Sequence, residues 1–247
     1  MKLEVDLHTH TVASGHAYST VQEIAEAASL KGIKVVGITD HGPALPGAAH
    51  LYHFWNLRIL PEELSGVRLL KGAEANILNV EGEIDLPLEI LEMLDVVAVG
   101  LHPRCGYEET TEERNTEAVI NAMSNPWVQI LVHPGNPYYP LNVGRVVEAA
   151  KSLNVILEIN NGSFFTRQGS YDSCLAFARA AYHAGVDIIV GSDAHVAGAV
   201  GQFEHALELA QKAGFSEDRI LNSSAERVLD FLKSKKNNAL AKMRPGP

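Results

Sequence analysis

Seven short runs rich in Val, Ile and Leu, separated by stretches of helical periodicity, restrict this chain to a parallel α/β architecture. The runs span residues 3–7, 34–39, 68–74, 96–101, 129–132, 155–160 and 187–192. Several are apolar at consecutive positions, as strands are when helices cover one face and barrel packing the other. Apolar residues at i, i+3 and i+4 predict helices over 20–31, 86–94, 113–124, 143–153, 172–184 and 201–213. Gly32, Gly185 and Gly214 fall where helix C-caps belong. A last helix over 225–235 takes its N-cap from Ser223–Ser224. The polar tail 236–247 ends Arg-Pro-Gly-Pro and is expected to be loosely ordered. With 247 residues, 46% of them hydrophobic, and no repeat or linker, one domain over 1–247 is the economical prediction.

Ligand-type side chains sit at the ends of these strands. His8 and His10 end the first, His41 follows the second, Glu74 ends the third, His102 follows the fourth, His133 the fifth, and Asp193 and His195 the seventh. In an extended strand side chains alternate, so His8 and His10 share a face and their imidazoles converge. By itself the pair also fits two polar histidines on an edge strand. In a parallel barrel, however, all strand C-termini meet on one rim. His16 joins the same set through the spacing His8-x-His10-x5-His16. Seven imidazoles and two carboxylates on one rim are hard to satisfy without cations, because carboxylates repel and buried histidines need partners on both nitrogens. Nine protein ligands exceed one tetrahedral zinc and suit two or three ions with open positions.

Other residues carry weaker signals. Asp40 either orients a neighbouring imidazole, the preferred reading, or caps the following segment. Cys105 is a soft ligand only if the nitrogen and oxygen set is incomplete. His50, His53, His183 and His205 lie in a loop or on helices and read as surface or ordinary packing.

His8-x-His10, Thr39-Asp40-His41, Glu74, His102, His133-Pro134 and Asp193-x-His195 together resemble the PHP (polymerase and histidinol phosphatase) family, and within it the YcdX-type probable phosphatases. Val12-Ala13-Ser14, His16-Ala17-Tyr18-Ser19-Thr20, His133-Pro134-Gly135-Asn136-Pro137 and Glu158-Ile159-Asn160-Asn161 extend the resemblance over nearly the whole chain. It implies a distorted (β/α)7 TIM-like barrel with the metal site at the C-terminal rim, and three divalent ions, usually zinc, with manganese or iron as alternatives. Carried over by position, His8, His10, Glu74 and Asp193 would hold one ion. Glu74 would bridge to a second, held by His102 and His133. His16, His41 and His195 would hold the third.

Three divalent ions bring roughly +6 to a rim carrying two carboxylates, so an anionic phosphate is attracted locally even though the chain is at −10. The expected activity is hydrolysis of a small phosphomonoester by attack of a metal-bridging water, with Asp193, His10 and Glu74 as the residues on which catalysis depends. Arg104, Arg167 and Asn160 are candidates to grip phosphate or leaving group. Segment 42–56 is either a partial lid or a plain connection. Tyr52, Trp55, Tyr138, Tyr139, Phe164 and Phe165 would wall the pocket or mediate contacts in a homo-oligomer. The alternatives are a metal-dependent amidohydrolase, for which no bridging lysine stands at a strand end, and a non-catalytic metal-binding regulatory domain. The acidic balance, with no basic block, argues against a nucleic-acid surface. Two cysteines without zinc-ribbon spacing, no signal-peptide layout and no run of about 18 apolar residues predict a cytoplasmic protein.

Overall fold

A computed structural model describes residues 1–109 and 111–243. The strands are β1 (Val5–Thr9), β2 (Val35–Ile38), β3 (Glu63–Leu64), β4 (Val67–Asn76), β5 (Val96–Gly100), β6 (Ile130–Leu131), β7 (Ile156–Asn160) and β8 (Ile188–Gly191). Seven of them run parallel in the order β1-β2-β4-β5-β6-β7-β8. The unanticipated β3 is a two-residue antiparallel flap on β4, turned by Ser65 and Gly66 at φ 53° and 76°. The helices are α1 (Val21–Leu30), α2 (Leu51–Asn56), α3 (Leu88–Leu91), α4 (Glu112–Met123), α5 (Val143–Leu153), α6 (Ser163–Thr166), α7 (Ser170–Ala184), α8 (Glu204–Ala213) and α9 (Ala225–Met243). Among the described residues no helix is long and apolar enough to cross a membrane.

The barrel is nearly closed between β8 and β1. Above, Thr9 bridges to Ala194 and His10 N–H donates to Ala194 O (2.9 Å). Below, the fully buried Asn222 spans the gap: its Nδ2 donates to Val5 O (2.8 Å) and Val190 O (2.7 Å), and its Oδ1 accepts from Val190 N (3.1 Å). Asn222→Leu leaves all three backbone groups without partners, and an expected loss of about 2–4 kcal/mol follows. Urea unfolding of the metal-stripped variant checks it; a change under about 0.5 kcal/mol would mean the seam holds without Asn222.

Val5, Leu7, Val35, Leu70, Val96, Ala98, Ile130, Val132, Ile156 and Ile189 fill the interior, and Leu221, Val228 and Leu232 pack against them. A larger cluster lies between the strands and the surrounding helices. This two-sided burial is why the strands read as continuous apolar runs.

Three expected helices differ by more than two residues at an end. The helix expected over 86–94 is a single turn, because Pro87 caps it and disfavours helical geometry at Leu86, while Met93 and Leu94 close with i→i−3 bonds. The helix expected from Gly201 begins at Glu204, since Gly201 takes φ 68° to donate its N–H to Asp6 Oδ2 (2.9 Å). The last helix runs to Met243, through residues expected to be loosely ordered, and does not stop at 235. Val228, Leu232, Lys235 and Ala239 form one buried stripe through that point, and Lys235 and Lys236 Nζ donate to Leu153 O (3.0 Å) and Leu94 O (2.8 Å). Residues 244–247 lie outside the described residues.

Candidate metal centre

A bulge in β1 starts the site. The β1–β2 register slips between Asp6 and Thr9, so Leu7 and His8 both line the interior beside Ile130 and Val132. Gly37 of β2 faces the slip, where a Cβ would stand 3.1 Å from Leu7 Cα. His8 and His10 then point the same way, ring centroids 5.1 Å apart, as expected. Two further ligand-type residues leave their strands with positive φ, His133 at 34° and Asp193 at 56°. Such backbone is sparsely populated by non-glycine residues and here occurs at the mouth.

The fully buried Glu74 is the hub. Its Oε1 lies 2.8 Å from His133 Nε2 and 2.9 Å from His102 Nε2. Its Oε2 lies 2.8 Å from His41 Nδ1, 3.3 Å from His8 Nε2 and 3.4 Å from His10 Nε2. Asp193 Oδ1 faces the same two imidazoles at 3.5 and 3.4 Å. At the outer edge His16 Nε2 and His195 Nε2 stand 3.0 Å apart. All nine candidates therefore converge. His41 stands closer to Glu74 than to the outer pair, whose rings lie 5.0 and 6.0 Å from its own.

The hydrogen bonds behind the imidazoles determine which nitrogen faces inward. His8 Nδ1 meets Glu158 Oε1 (2.7 Å), His16 Nδ1 meets Ser14 O (3.0 Å) and His195 Nδ1 meets Asp193 O (3.0 Å). Ser14 gives its hydroxyl proton to Asp40 Oδ1 (2.7 Å) and so accepts from His10 Nδ1 (3.2 Å). Each of these acceptors requires N–H on Nδ1, which in the neutral ring leaves Nε2 as a bare lone pair. His8 Nε2, His10 Nε2, His41 Nδ1 and Glu74 Oε2 are buried without a hydrogen-bond partner. Lone pairs and carboxylate oxygens gathered at about 3 Å repel unless a cation lies among them, so the residues fit divalent metal.

Charge states agree. Burial and the neighbouring His41 press His10 down to about 3. Burial and the Arg167 charge do the same to His133, also to about 3. Burial opposes ionisation of Glu74 and Asp193, yet the surrounding imidazoles hold both carboxyls well below their usual range. His8 is the exception: burial opposes its charge, but Glu158, Glu74 and Asp193 raise it well above the ordinary imidazole value. A divalent ion held here would take the place of that proton.

Asp40 orients rather than caps. It accepts from Thr11 N (2.7 Å), Thr11 Oγ1 (2.8 Å), Ser14 Oγ (2.7 Å) and His53 Nε2 (3.1 Å). Burial opposes its charge, but hydrogen bonds from His53 and Ser14 bring it down to about 2. Cys105 donates to Asn76 Oδ1 (3.3 Å), burial pushes its thiol up to about 12, and its sulfur joins none of the clustered groups of ligand atoms among the described residues. Arg167 Nη1 reaches Asp193 Oδ2 (3.1 Å) and belongs to the site. Asn160 is buried scaffolding, donating to Glu158 Oε2 (3.0 Å) and Asp193 Oδ2 (3.3 Å). Arg104 is exposed at φ 65°, and among the described residues no hydrogen bond or ion pair ties it to the cluster.

Segment 42–56 is pinned: Gly42 N donates to Glu74 O (2.9 Å), Ala44 N to Asp85 Oδ2 (2.9 Å), and Phe54 is buried. Tyr52, Trp55, Tyr138 and Phe165 are exposed, whereas Tyr139 and Phe164 pack on the core. His50 caps α2 and His205 packs edge-on against Phe165. His53 contradicts the expectation of ordinary packing through its bond to Asp40.

Glu158 entered the sequence analysis only within the motif Glu158-Ile159-Asn160-Asn161, with no role of its own. The sixth predicted strand carries no ligand-type residue at its end, yet Glu158 points inward from its middle. It links His8 Nδ1 and, through Oε2, His133 N (2.9 Å). Room for it comes from Gly191, where a Cβ would stand 1.9 Å from Glu158 Oε1. The available signal was parity: Ile156, Glu158 and Asn160 share the inward face of β7.

A parallel α/β barrel whose C-terminal rim gathers imidazoles and carboxylates around buried lone pairs defines a metal-dependent barrel enzyme. The family model of the PHP domain matches residues 6–244, and the chain belongs to the PHP domain family. A probable phosphatase of Thermoanaerobacter sp. (strain X514) is 50% identical over 237 residues, covering 96% of this chain and 97% of the relative. A probable phosphatase of Acetivibrio thermocellus is 50% identical over 236 residues, covering 96% and 98%. Among solved structures, histidinol phosphate phosphatase from Lactococcus lactis, complexed with zinc, L-histidinol and phosphate, superposes with a TM-score of 0.62 at 16% identity, over 87% of this chain and 95% of that one. A dihydroorotase aligns with a TM-score of 0.54 at 15% identity, over 94% and 69%, a likeness of fold alone.

Proposed function

We propose that this chain, as one domain, is a phosphatase that hydrolyses small phosphomonoesters at three divalent ions, zinc before manganese or iron. The observation that carries this reading is the inward-facing set of lone pairs, above all His16 and His195 Nε2, which stand 3.0 Å apart and are both acceptors when the rings are neutral. His8, His10, Glu74 and Asp193 would hold one ion, Glu74 with His102 and His133 the second, and His16, His41 and His195 the third. When bound, such ions would supply Lewis acidity and activate a water for attack on phosphorus.

The protein's own part is placement. Glu158, Ser14 and the carbonyls of Ser14 and Asp193 hold four imidazoles in the Nδ1–H tautomer with Nε2 inward. Arg167 holds Asp193 with Nη1, and among the described residues its other guanidinium nitrogens make no hydrogen bond, which suits them to a phosphoryl oxygen. The half-exposed His195 marks the solvent side, from which substrate would enter. Lysine does not enter the cluster, which disfavours the amidohydrolase alternative.

Metal analysis of purified protein by mass spectrometry, paired with hydrolysis of an aryl phosphate with and without chelator, tests the reading. A ratio near three per chain and chelator-sensitive phosphate release are expected. Metal near zero after careful preparation would sink the centre; bound metal with no phosphate release would favour the regulatory domain.

A further inference from the structure

We propose that His53, on the short helix of segment 42–56, is a positioning residue for the metal centre: through Asp40 and Ser14 it sets the orientation of His10. The segment thereby clamps the site from behind. Phe54 and Leu57 are 1% and 5% exposed and anchor α2, which leaves the neighbouring His53 side chain aimed at Asp40. His53 Nε2 donates to Asp40 Oδ2 (3.1 Å), Asp40 Oδ1 accepts from Ser14 Oγ (2.7 Å), and Ser14 Oγ accepts from His10 Nδ1 (3.2 Å).

Every link has one sense. A carboxylate only accepts, so Ser14 must point its hydroxyl proton at Asp40, and only then can its oxygen receive the His10 proton and turn Nε2 inward. The same oxygen receives His41 N (3.1 Å), so one hydroxyl rotor serves two neighbouring candidate ligands. Of the four donors on Asp40, three come from the Thr11–Ser14 turn and one from His53. Without His53, Oδ2 keeps only Thr11 Oγ1, and the buried carboxylate is held by the Thr11–Ser14 turn alone, with one fewer constraint on its angle toward Ser14.

This inference rests on the metal-centre reading, so zinc content of the wild-type protein is measured first; failure there rejects that reading whatever His53 does. Zinc release to a chromophoric chelator is then followed below the melting temperature. His53→Leu is expected to speed release of part of the zinc about 5–10-fold. His53→Gln, whose amide N–H can replace Nε2, is expected to restore release to within about twofold of wild type. In an Asp40→Asn background, itself leaky, His53→Leu should add nothing. Wild-type release from His53→Leu, or an equal increment in both backgrounds, would overturn the proposal and leave His53 as a helix anchor only. Should His53→Leu fail to fold, His53→Asn, too short to reach Asp40, serves the same comparison.

Discussion

Asp193→Asn is expected to lower kcat/KM on an aryl phosphate by on the order of a thousandfold while leaving the metal-stripped protein folded. The carboxylate faces His8 and His10 through Oδ1 and Arg167 through Oδ2, so replacing one oxygen by an amide removes charge from the point where three elements meet. The fold should survive for two reasons. Asn adopts the left-handed backbone seen here (φ 56°) as readily as Asp does. The apolar interior, from Val5 to Ile189, is built from residues other than the candidate ligands. His10→Ala should behave alike. Retained turnover in either variant, with metal content unchanged, would place the chemistry elsewhere.

Glu158→Gln is the second large effect. Glu158 Oε1 accepts from His8 Nδ1 and Oε2 from both His133 N and Asn160 Nδ2, so every neighbour is a donor. A glutamine must set its NH2 against one of them. Facing His133 and Asn160, it repels two donors; facing His8, it forces the proton onto Nε2 and blocks the inward lone pair. Zinc affinity is expected to fall about 10–100-fold, with activity following metal occupancy. Competition with a chelator of known affinity measures it, and activity restored by excess zinc would separate weakened binding from misfolding. Wild-type affinity would show that His8 needs no carboxylate behind it. Gly191→Ala should resemble Glu158→Gln, because the added methyl claims the position of Glu158 Oε1.

His8, His10, His41, Glu74, His102, His133, Asp193 and His195 were legible because each stands at or just beyond an apolar run, and strand ends of a parallel barrel share one rim. His16 was legible only through spacing. The roles of Glu158 and His53 were not, for one reason in two forms. Glu158 sits inside a strand, where a single carboxylate among apolar residues looks like an exposed edge position. His53 sits on a six-residue helix whose register is set by burial of Phe54 rather than by any repeating pattern. Arg104 and Arg167 are equivalent as loop arginines in the sequence, and only the tertiary fold distinguishes the one that touches Asp193.

The amino-acid order by itself determined the seven-strand parallel arrangement and the residues brought to its mouth, because both follow from local periodicity and from a topology in which every strand points one way. Tertiary structure alone decided the β1 slip that turns His8 inward, the Asn222 seam, the extra length of α9, and the partners behind each imidazole. Those depend on which atoms come within hydrogen-bond reach across separations such as the 150 residues between His8 and Glu158, and no local pattern encodes such distances.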